Sequence, residues 1–365
     1  MLQTNYHRAS DVDAALAAAR EGSDPKYISG GQTLLPTLKQ RLAAPSDLID
    51  LRHVPSMKGI SVDGDTVRIG AGTTHNEVHT HDELRRAIPA LAELAGLIGD
   101  MAVRHMGTIG GSIANNDPAA DYPGACLALD AVIETDRREV PAADFFTGMF
   151  ETALADDEIV TAVRFRVPSH AAYEKFRNPA SRYAMAGAFV ARLNRETRVA
   201  VTGAGIDGVF RWQEAEGLLN ASTGGLDGSV LMNLLPDEDA MLGDLHASAS
   251  YRAHLVKVMA MRATERAVAS VNGAASTDNP AAADHTQGQI GDIPEEAARA
   301  ELHADKVVTR VGQTTTTERG EQAEAERTRH IRTSDSATSA GTPGQNGTPG
   351  AEGGGIVDRI KRLFN

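Results

Sequence analysis

The stretch Met106–Pro123, MGTIGGSIANNDPAADYP, holds small and backbone-exposing residues for far longer than a turn requires. Its adjacent glycines leave room for peptide N–H groups to approach an anion, and the hydroxyls of Thr108 and Ser112 add further donors. The Asn and Asp side chains that follow are acceptors suited to ligand hydroxyls. We therefore expect a ligand-binding loop, with an ordinary Asx-rich surface loop as the alternative for each aspartate taken separately.

A second stretch, ISGGQTLL over Ile28–Leu35, has the same chemistry. A strand, two glycines and a helix start can form a cradle for phosphate, because backbone N–H groups and the positive end of the helix face the anion. Taken alone, the octet is equally consistent with an ordinary strand–helix turn. Two donor-rich glycine loops in one chain favour a ligand with a diphosphate and a long polyol, which indicates FAD rather than a mononucleotide.

The composition excludes several classes of function. The 365-residue chain has a formal net charge of −13, which argues against nucleic-acid or anionic-membrane binding through bulk electrostatics. Its single cysteine, Cys126, excludes an internal disulfide or a multi-cysteine metal site, and its apolar neighbours predict a buried thiol. The histidines lack metal-site spacing, so no metal ligand is predicted. Separately, no residue is assigned as a catalytic acid or base. With no signal-peptide or transmembrane pattern, we expect a cytoplasmic protein.

A third glycine pattern, GAGIDG over Gly203–Gly208, matches the dinucleotide-binding fingerprint G-x-G-x-x-G after a strand. Its context does not fit, because the helix that follows is short and no second apolar strand ends in an acidic residue about 20 positions on. Asp207 would also place a negative charge beside the pyrophosphate. We therefore interpret this pattern as a chance match.

Apolar patterns predict the surrounding elements. HDELRRAIPALAELAGLIG, from His81 to Gly99, is expected to be a helix, and CLALDAVIET, from Cys126 to Thr135, a strand. Beyond Ser270 the composition changes: only eight of residues 271–355 are Leu, Ile, Val, Met, Phe, Tyr or Trp, which predicts a disordered linker. Residues 356–365, IVDRIKRLFN, form a short basic amphipathic pattern, either a tether for a membrane or partner protein or a frayed tail.

Three segments, SGGQTLLPTLKQRL, TIGGSIANNDPAADYP and YEKFRNPASRYAMAGAFV, resemble in order and spacing the FAD-binding medium subunit of molybdenum hydroxylases. The carbon monoxide dehydrogenase-like branch is more similar than the xanthine dehydrogenase relatives. The resemblance implies an α+β fold. Residues 1–169 would form a two-part FAD-binding domain of the vanillyl-alcohol-oxidase type, and residues 170–270 a C-terminal antiparallel sheet with helices, before the linker 271–355 and the helix 356–365.

The resemblance also implies which residues bind FAD. Asp121 would accept a hydrogen bond from a polyol or ribose hydroxyl. Tyr183 would lie against the isoalloxazine ring, although its chemistry alone favours a core residue. The diphosphate region would be bound by Ser29, Gly30, Gly31, Gln32, Thr33, Leu34, Thr108, Ile109, Gly110, Gly111 and Ser112.

The activity that the resemblance implies is electron transfer. Electrons would leave a molybdenum-cofactor site in a large subunit, cross two 2Fe-2S clusters in a small subunit and reduce FAD in this chain, which would pass them to quinone or NAD. The subunits would form a dimer of heterotrimers, and the tether over 356–365 would bring the flavin to the inner face of the membrane. Two alternatives stay open: a stand-alone FAD-dependent oxidase or dehydrogenase, and a nucleotide-binding scaffold whose tail recruits other proteins.

Overall fold

The computed structural model describes residues 3–223 and 225–273 of the chain. Within this part the strands form three main sheets and one two-stranded hairpin. The strands are β1 (Asn5–Arg8), β2 (Pro25–Ile28), β3 (Asp47–Asp50), β4 (Ile60–Asp63), β5 (Thr66–Gly70), β6 (Val132–Thr135), β7 (Glu139–Pro141), β8 (Phe146–Gly148), β9 (Glu151–Thr152), β10 (Val160–Arg166), β11 (His170–Arg177), β12 (Ala184–Leu193), β13 (Glu196–Thr202) and β14 (Phe210–Arg211).

Helices connect and cover these sheets. Short 3₁₀ turns also occur at Pro55–Met57, Gly228–Leu231 and Glu238–Ala240. The α-helices are α1 (Val12–Glu21), α2 (Leu34–Lys39), α3 (His75–Thr80), α4 (Asp82–Ala87), α5 (Pro89–Gly96), α6 (Met101–Met106), α7 (Ile109–Asn115), α8 (Tyr122–Ala128), α9 (Ala142–Phe145), α10 (Gln213–Ala221) and α11 (Ala249–Gly273). Among the described residues, no helix combines the length and the apolar character needed to cross a bilayer.

The first sheet is parallel, with the strand order β1–β3–β2. Helix α1 connects β1 to β2, and its start is capped by Asp11, whose carboxylate accepts a hydrogen bond from the Ala14 N–H at 2.8 Å. The first glycine motif begins where β2 ends and leads into α2. It therefore lies at the carboxyl end of a parallel strand, which is where open α/β sheets bind their ligands.

The second sheet is antiparallel, with the order β4–β5–β10–β6–β7. The chain between β5 and β6 contains α3 to α8, and the second glycine motif lies on this long connection. Thr108 caps α7 by accepting a hydrogen bond from the Gly111 N–H at 3.2 Å. The side chains of Ile69, Leu91 and Phe165 are fully buried in one hydrophobic core, which joins this connection to the sheet.

The third sheet is antiparallel, with the order β11–β12–β13–β14, and α10 and α11 pack against it. Strand β12 is buried on both faces, and its side chains alternate between two hydrophobic cores. Phe189 and Ala191 belong to the core shared with the second sheet, whereas Ala188 and Val190 belong to a core with α10 and α11. Helix α8 packs on β12 and β13. The third sheet is therefore joined to the elements that carry the glycine motifs.

The α+β class expected from the resemblance is confirmed, including the antiparallel C-terminal sheet with its helices. Helix α11 continues to Gly273, three residues beyond the expected end of the folded part at Ser270. The linker predicted up to residue 355 and the helix predicted over 356–365 lie, beyond Gly273, outside the described residues.

Two predicted elements are wrong in detail. The helix expected from His81 to Gly99 is divided into α4 and α5, because Ile88 leaves the helical region at φ −137° and Pro89 starts a new helix. In the strand expected over Cys126–Thr135, the first three residues instead end α8, and β6 begins only at Val132. A continuous apolar run does not distinguish a buried helix from a buried strand by periodicity.

Candidate functional site

A cavity of about 650 Å³ is lined by both glycine motifs. Its volume lies in the range of ~300–1,000 Å³ that is typical of small-molecule and cofactor sites. Of the residues predicted to bind FAD, Ile109 does not line this cavity, because its side chain is fully buried in the core. The predicted residues that line it are Ser29, Gly30, Gly31, Gln32, Thr33, Leu34, Thr108, Gly110, Gly111, Ser112, Asp121 and Tyr183.

The two glycine motifs are in direct contact. The Thr108 hydroxyl donates a hydrogen bond to the Ser29 hydroxyl at 3.0 Å. Gly30 packs so closely against the other segment that a Cβ atom at this position would lie 2.2 Å from the Met106 carbonyl oxygen. The structure thus brings together two segments that are far apart in sequence, and at Gly30 only the absence of a side chain permits their approach.

The first motif presents unused backbone donors. Gly31 adopts φ +69°, and α2 begins three residues later at Leu34. Within the described part of the chain, the N–H groups of Gly31, Gln32 and Thr33 make no hydrogen bond. Free peptide N–H groups are the donors that bind a diphosphate, so this loop fits the phosphate-binding part of FAD.

The second motif differs from the sequence-based expectation. The N–H groups of Ile109 and Gly110 donate to the carbonyls of Thr73 and Ala71 at 3.1 and 2.9 Å. Those of Gly111 and Ser112 both donate to Thr108. The expectation of free backbone donors is therefore wrong for Gly110, Gly111 and Ser112, and the Ile109 N–H is likewise already bonded.

Instead, the glycines of this motif allow close backbone packing, and its serine offers a hydroxyl to the cavity. A Cβ atom on Gly110 would lie 2.4 Å from the Ala71 side chain, so glycine is needed there for close packing. The Ser112 hydroxyl has no hydrogen-bond partner among the described residues, and Ser112 lines the cavity. Ser112 is thus a side-chain donor available to a phosphate or a hydroxyl group.

The Asn and Asp residues that follow have different roles. Asn116 caps the end of α7 at φ +42° and donates to the Gly148 and Glu151 carbonyls, both at 2.8 Å, so its role is structural. Asp117 lines the cavity and accepts a hydrogen bond from the Ala119 N–H at 2.9 Å. Asn116 is thus a buried helix cap rather than part of a surface loop, and Asp117 combines a turn with a cavity position.

Asp121 is 5% exposed and already has partners. Its carboxylate accepts hydrogen bonds from the Lys175 ammonium at 2.9 and 3.0 Å and from the Tyr173 hydroxyl. Burial raises the pKa of Asp121, and the Lys175 charge opposes that rise. The residue lines the cavity as expected, but as part of a buried network that the sequence did not reveal.

Tyr183 lines the cavity, and 48% of its surface is exposed. This exposure is incompatible with the alternative of a core tyrosine. The neighbouring Arg182 adopts φ +62° and donates to the Gly99 carbonyl at 3.4 Å, which connects this loop to the end of the cavity near α6. A half-exposed ring beside a cavity can lie against a flat ligand.

Sequence reasoning missed a third segment of the cavity wall, which runs from Thr152 to Val160. It has no glycine pattern or run of hydrogen-bond donors, so the sequence carried no signal for it. Within it, the hydrogen bond from Arg138 lowers the pKa of Glu158 to about 2. Other lining residues that were missed are Lys26, Tyr27, Leu51, Met57, Ala71, His75, Ile98, Gly99, Val103, Ala114, Ala120, Ser181 and Arg182.

His75 was also not identified from the sequence. It is 5% exposed, and its Nδ1 atom has no hydrogen-bond partner in the part of the chain that the structure describes. Burial, together with the charge of Arg104, lowers the pKa of His75 to about 4, so the imidazole is neutral at physiological pH. Its position beside Gly107 puts an uncharged ring against the second motif.

Cys126 and the third glycine pattern both lie outside the cavity. Cys126 is fully buried, and burial raises the pKa of its thiol, as its apolar neighbours predicted. The pattern GAGIDG starts directly after β13, but Gly203–Gly208 does not line the cavity and no helix follows before α10. The interpretation of this pattern as a chance match agrees with its position.

Known proteins are similar to this chain over a region that contains both glycine motifs. Residues 2–169 match the family described as the FAD binding domain in molybdopterin dehydrogenase. The carbon monoxide dehydrogenase medium chain of Afipia carboxidovorans is 35% identical over 279 residues, which cover 73% of this chain and 96% of the relative. The nicotine 6-hydroxylase medium subunit of Paenarthrobacter nicotinovorans is 31% identical over 267 residues, or 70% and 94% of the two chains.

A solved structure agrees with these relatives. A chain of reconstituted CO dehydrogenase from Oligotropha carboxidovorans superposes with a TM-score of 0.67 at 33% identity, covering 73% of this chain and 98% of that one. The match therefore includes the antiparallel sheet as well as the cavity-forming part. The cofactor of such chains is FAD, and the free N–H groups and glycine packing of the cavity fit that cofactor. The chain belongs to the FAD-binding medium subunits of molybdenum hydroxylases, the flavoprotein components of oxidoreductase complexes.

Proposed function

We propose that this chain is the electron-relay subunit of a three-subunit molybdenum hydroxylase, with FAD bound in the cavity between the two glycine motifs. The observation that carries the proposal is that the N–H groups of Gly31, Gln32 and Thr33 have no partner among the described residues and that these residues line a cavity that also reaches Tyr183. Donors for a diphosphate and a half-exposed aromatic ring thus line one cavity, as the diphosphate and the isoalloxazine ring of FAD require.

FAD supplies the redox chemistry, because it accepts electrons one at a time and passes them on in pairs. The residues of this chain hold and orient it. Gly31–Thr33 and Ser112 would bind the diphosphate, Asp121 would accept a hydrogen bond from a hydroxyl, and Tyr183 would contact the isoalloxazine ring. The remaining predicted residues, Ser29, Gly30, Leu34, Thr108, Gly110 and Gly111, would shape the wall, with Ile109 in the core behind them.

The proposed partners are a molybdenum-cofactor large subunit and a small subunit with 2Fe-2S clusters, assembled as a dimer of heterotrimers. The names of the relatives support this, since they are medium chains or medium subunits of carbon monoxide dehydrogenase and nicotine 6-hydroxylase. We favour the carbon monoxide dehydrogenase branch because those relatives have the higher identities. The proposed external acceptor is quinone or NAD.

Purification of the full chain from its native cells tests this proposal. We expect a yellow protein with the absorption spectrum of oxidised flavin, which co-elutes with one molybdenum-containing chain and one iron–sulfur chain identified by mass spectrometry. A colourless protein that does not take up FAD would contradict the proposal and favour a scaffold. A yellow protein that elutes alone and oxidises its own substrate would instead indicate a stand-alone flavoenzyme.

Residues 356–365 carry a separate proposal about location. From their sequence, Ile356, Ile360 and Phe364 would share one helical face, with basic residues elsewhere. We infer a tether that brings a cytoplasmic complex to the inner face of the membrane. Deletion of 356–365 should abolish flotation of the complex with anionic lipid vesicles and slow quinone reduction; unchanged flotation and quinone reduction would refute the tether.

A further inference from the structure

A buried charge cluster connects the cavity wall to the third sheet. The Lys175 side chain on β11 is 2% exposed, and its ammonium contacts both carboxylate oxygens of Asp121, at 3.0 and 2.9 Å. The Tyr173 hydroxyl, two residues earlier on the same strand, donates to Oδ1 of Asp121. Asp121 itself immediately precedes α8 and lines the cavity.

In this cluster, Lys175 and Tyr173 are placed so that they can hold the Asp121 carboxylate in a fixed position. Within the described part of the chain, the Lys175 ammonium makes no hydrogen bond other than those to Asp121. A buried ammonium is costly to desolvate, so a chain that only needed packing at this position would be served better by an apolar side chain. A carboxylate has about four acceptor positions, and Oδ2 here receives only the Lys175 contact, so it retains acceptor capacity.

In the part of the chain that the structure describes, the charged and titratable groups around Asp121 are one carboxylate, three tyrosine hydroxyls and one ammonium. Asp117 lines the same cavity, and the charge of Asp121, together with burial, raises the pKa of Asp117. Tyr122 on α8, Tyr173 on β11 and Tyr183 before β12 also interact with the Asp121 charge. The Lys175 charge and the hydrogen bonds from Lys175 and Tyr173 oppose the effect of burial on the pKa of Asp121. Without the Lys175 charge, burial would raise the pKa of Asp121 further.

We propose that Lys175 and Tyr173 are positioning residues that hold Asp121 as an ionised acceptor for a hydroxyl group of bound FAD, so that the third sheet completes the cofactor site. This inference rests on the proposed function. It adds to Tyr183 a second contribution of the C-terminal region, made by two residues that do not themselves bind the cofactor in this scheme. It also predicts that the ion pair makes FAD affinity insensitive to pH.

The test measures the dissociation constant of FAD for the deflavinated full chain, by quenching of flavin fluorescence between about pH 5.5 and pH 8.5. Wild-type affinity should stay constant across this range. Lys175→Met should bind FAD roughly tenfold more weakly near neutral pH, as expected for loss of one charge-assisted hydrogen bond, and should recover affinity as the pH rises and Asp121 ionises. Lys58→Met, at an exposed lysine, is the matched control and should leave both affinity and profile unchanged.

Further variants separate positioning from general destabilisation. Asp121→Asn should weaken binding by a similar factor, but it leaves the buried Lys175 ammonium without its carboxylate, so the pH-independent reference is the double variant with Lys175→Met. Adding Lys175→Met to Asp121→Asn should cause little further loss of FAD affinity. If Lys175→Met does not fold by circular dichroism, Tyr173→Phe carries the test, since loss of its hydroxyl should reduce FAD affinity at the acidic end of the range.

The outcomes distinguish this inference from the proposed function. If the wild-type chain does not bind FAD, the proposed function fails. If the wild type binds FAD and folded Lys175→Met or Tyr173→Phe has the wild-type affinity and a flat pH profile, the positioning role is refuted while the FAD site stands.

Discussion

Gly30 shows how far a single residue could be understood from the sequence. The paired glycines predicted a close approach of backbone to an anion, and the free N–H groups of the neighbouring Gly31, Gln32 and Thr33 agree with that purpose. The neighbour of Gly30 itself, however, is the Met106 carbonyl of the other motif. A contact between segments so distant in sequence has no local signature. The sequence therefore indicated that a glycine is required here, but not that the reason is the Met106 carbonyl.

We expect Gly30→Ala to weaken FAD binding by more than about tenfold and to reduce the free energy of unfolding by about 1–3 kcal/mol, because the new methyl group has to displace the Met106 backbone. Fluorescence titration with FAD and urea unfolding measure the two effects. Gly217→Ala is the matched control. A Cβ atom there meets nothing within 4 Å on the exposed face of α10, so stability should rise by up to about 1 kcal/mol.

The lowered pKa of Glu158 predicts that the free energy of unfolding depends on pH. The hydrogen bond from Arg138 lowers its pKa from 4.5 to about 2, so its stabilising contribution is complete above pH 4.5 and is lost as the pH falls towards 2. Glu158→Gln should therefore be less stable than wild type at neutral pH, and the difference should shrink on acidification through this window. Urea unfolding at several pH values measures it. A difference that is constant with pH would contradict the assignment, and exposed Glu83→Gln serves as the control.

The elements were predicted in type more reliably than in extent. The division between α4 and α5 follows from Pro89, a signal present in the sequence but outweighed there by the apolar pattern on both sides. The error at Cys126–Thr135 has another cause. All residues of α8 are buried, so the helix has no polar face to reveal its period, and Asp130 at φ +53° ends the run before β6.

Helix α11 depends on a buried arginine that the sequence pattern did not single out. Arg252 is 4% exposed and donates to the Met185 and Gly203 carbonyls at 2.6 and 2.7 Å, and to Asp244 at 2.6 Å. These bonds attach the start of the helix to the third sheet. The hydrophobic spacing of the helix predicted its face but gave no sign of this polar anchor.

Arg252→Leu should lower the free energy of unfolding by roughly 3 kcal/mol, because two buried carbonyls lose their donor and Asp244 loses its ion pair. Urea unfolding followed by circular dichroism is the measurement. Arg262→Leu changes an exposed arginine on the same helix and should alter stability by less than about 0.5 kcal/mol. Equal losses in the two variants would show that the buried bonds contribute nothing specific.

At the scale of the whole molecule, the glycine-motif region and the third sheet are joined by several contacts. Arg198 on β13 forms an ion pair of 2.6 Å with Asp130, and Arg266 on α11 contacts Glu93 on α5 at 2.6 Å. The resemblance predicted both regions and a single FAD site between the two motifs. It did not predict the contribution of Thr152–Val160 or of Lys175, because neither has a pattern that local sequence chemistry can recognise.

These contacts predict cooperative unfolding. Trp212, the single tryptophan, is 2% exposed in the core between the third sheet and its helices, so its fluorescence reports on that region. Release of flavin reports on the cavity. We expect both signals to change at the same urea concentration in the FAD-bound chain. Release of flavin at a clearly lower midpoint than the Trp212 transition would show that the two regions unfold independently.

The seam between Gly30 and Met106, closed by the Ser29–Thr108 hydroxyl pair, also limits how this site can be re-engineered. A chimaera that imports one motif from a distant relative and keeps the other would inherit two surfaces shaped for different neighbours. Both motifs would have to be transplanted together. Otherwise each motif would be present in the recipient, but the two would not pack against each other and would not form the cofactor cavity.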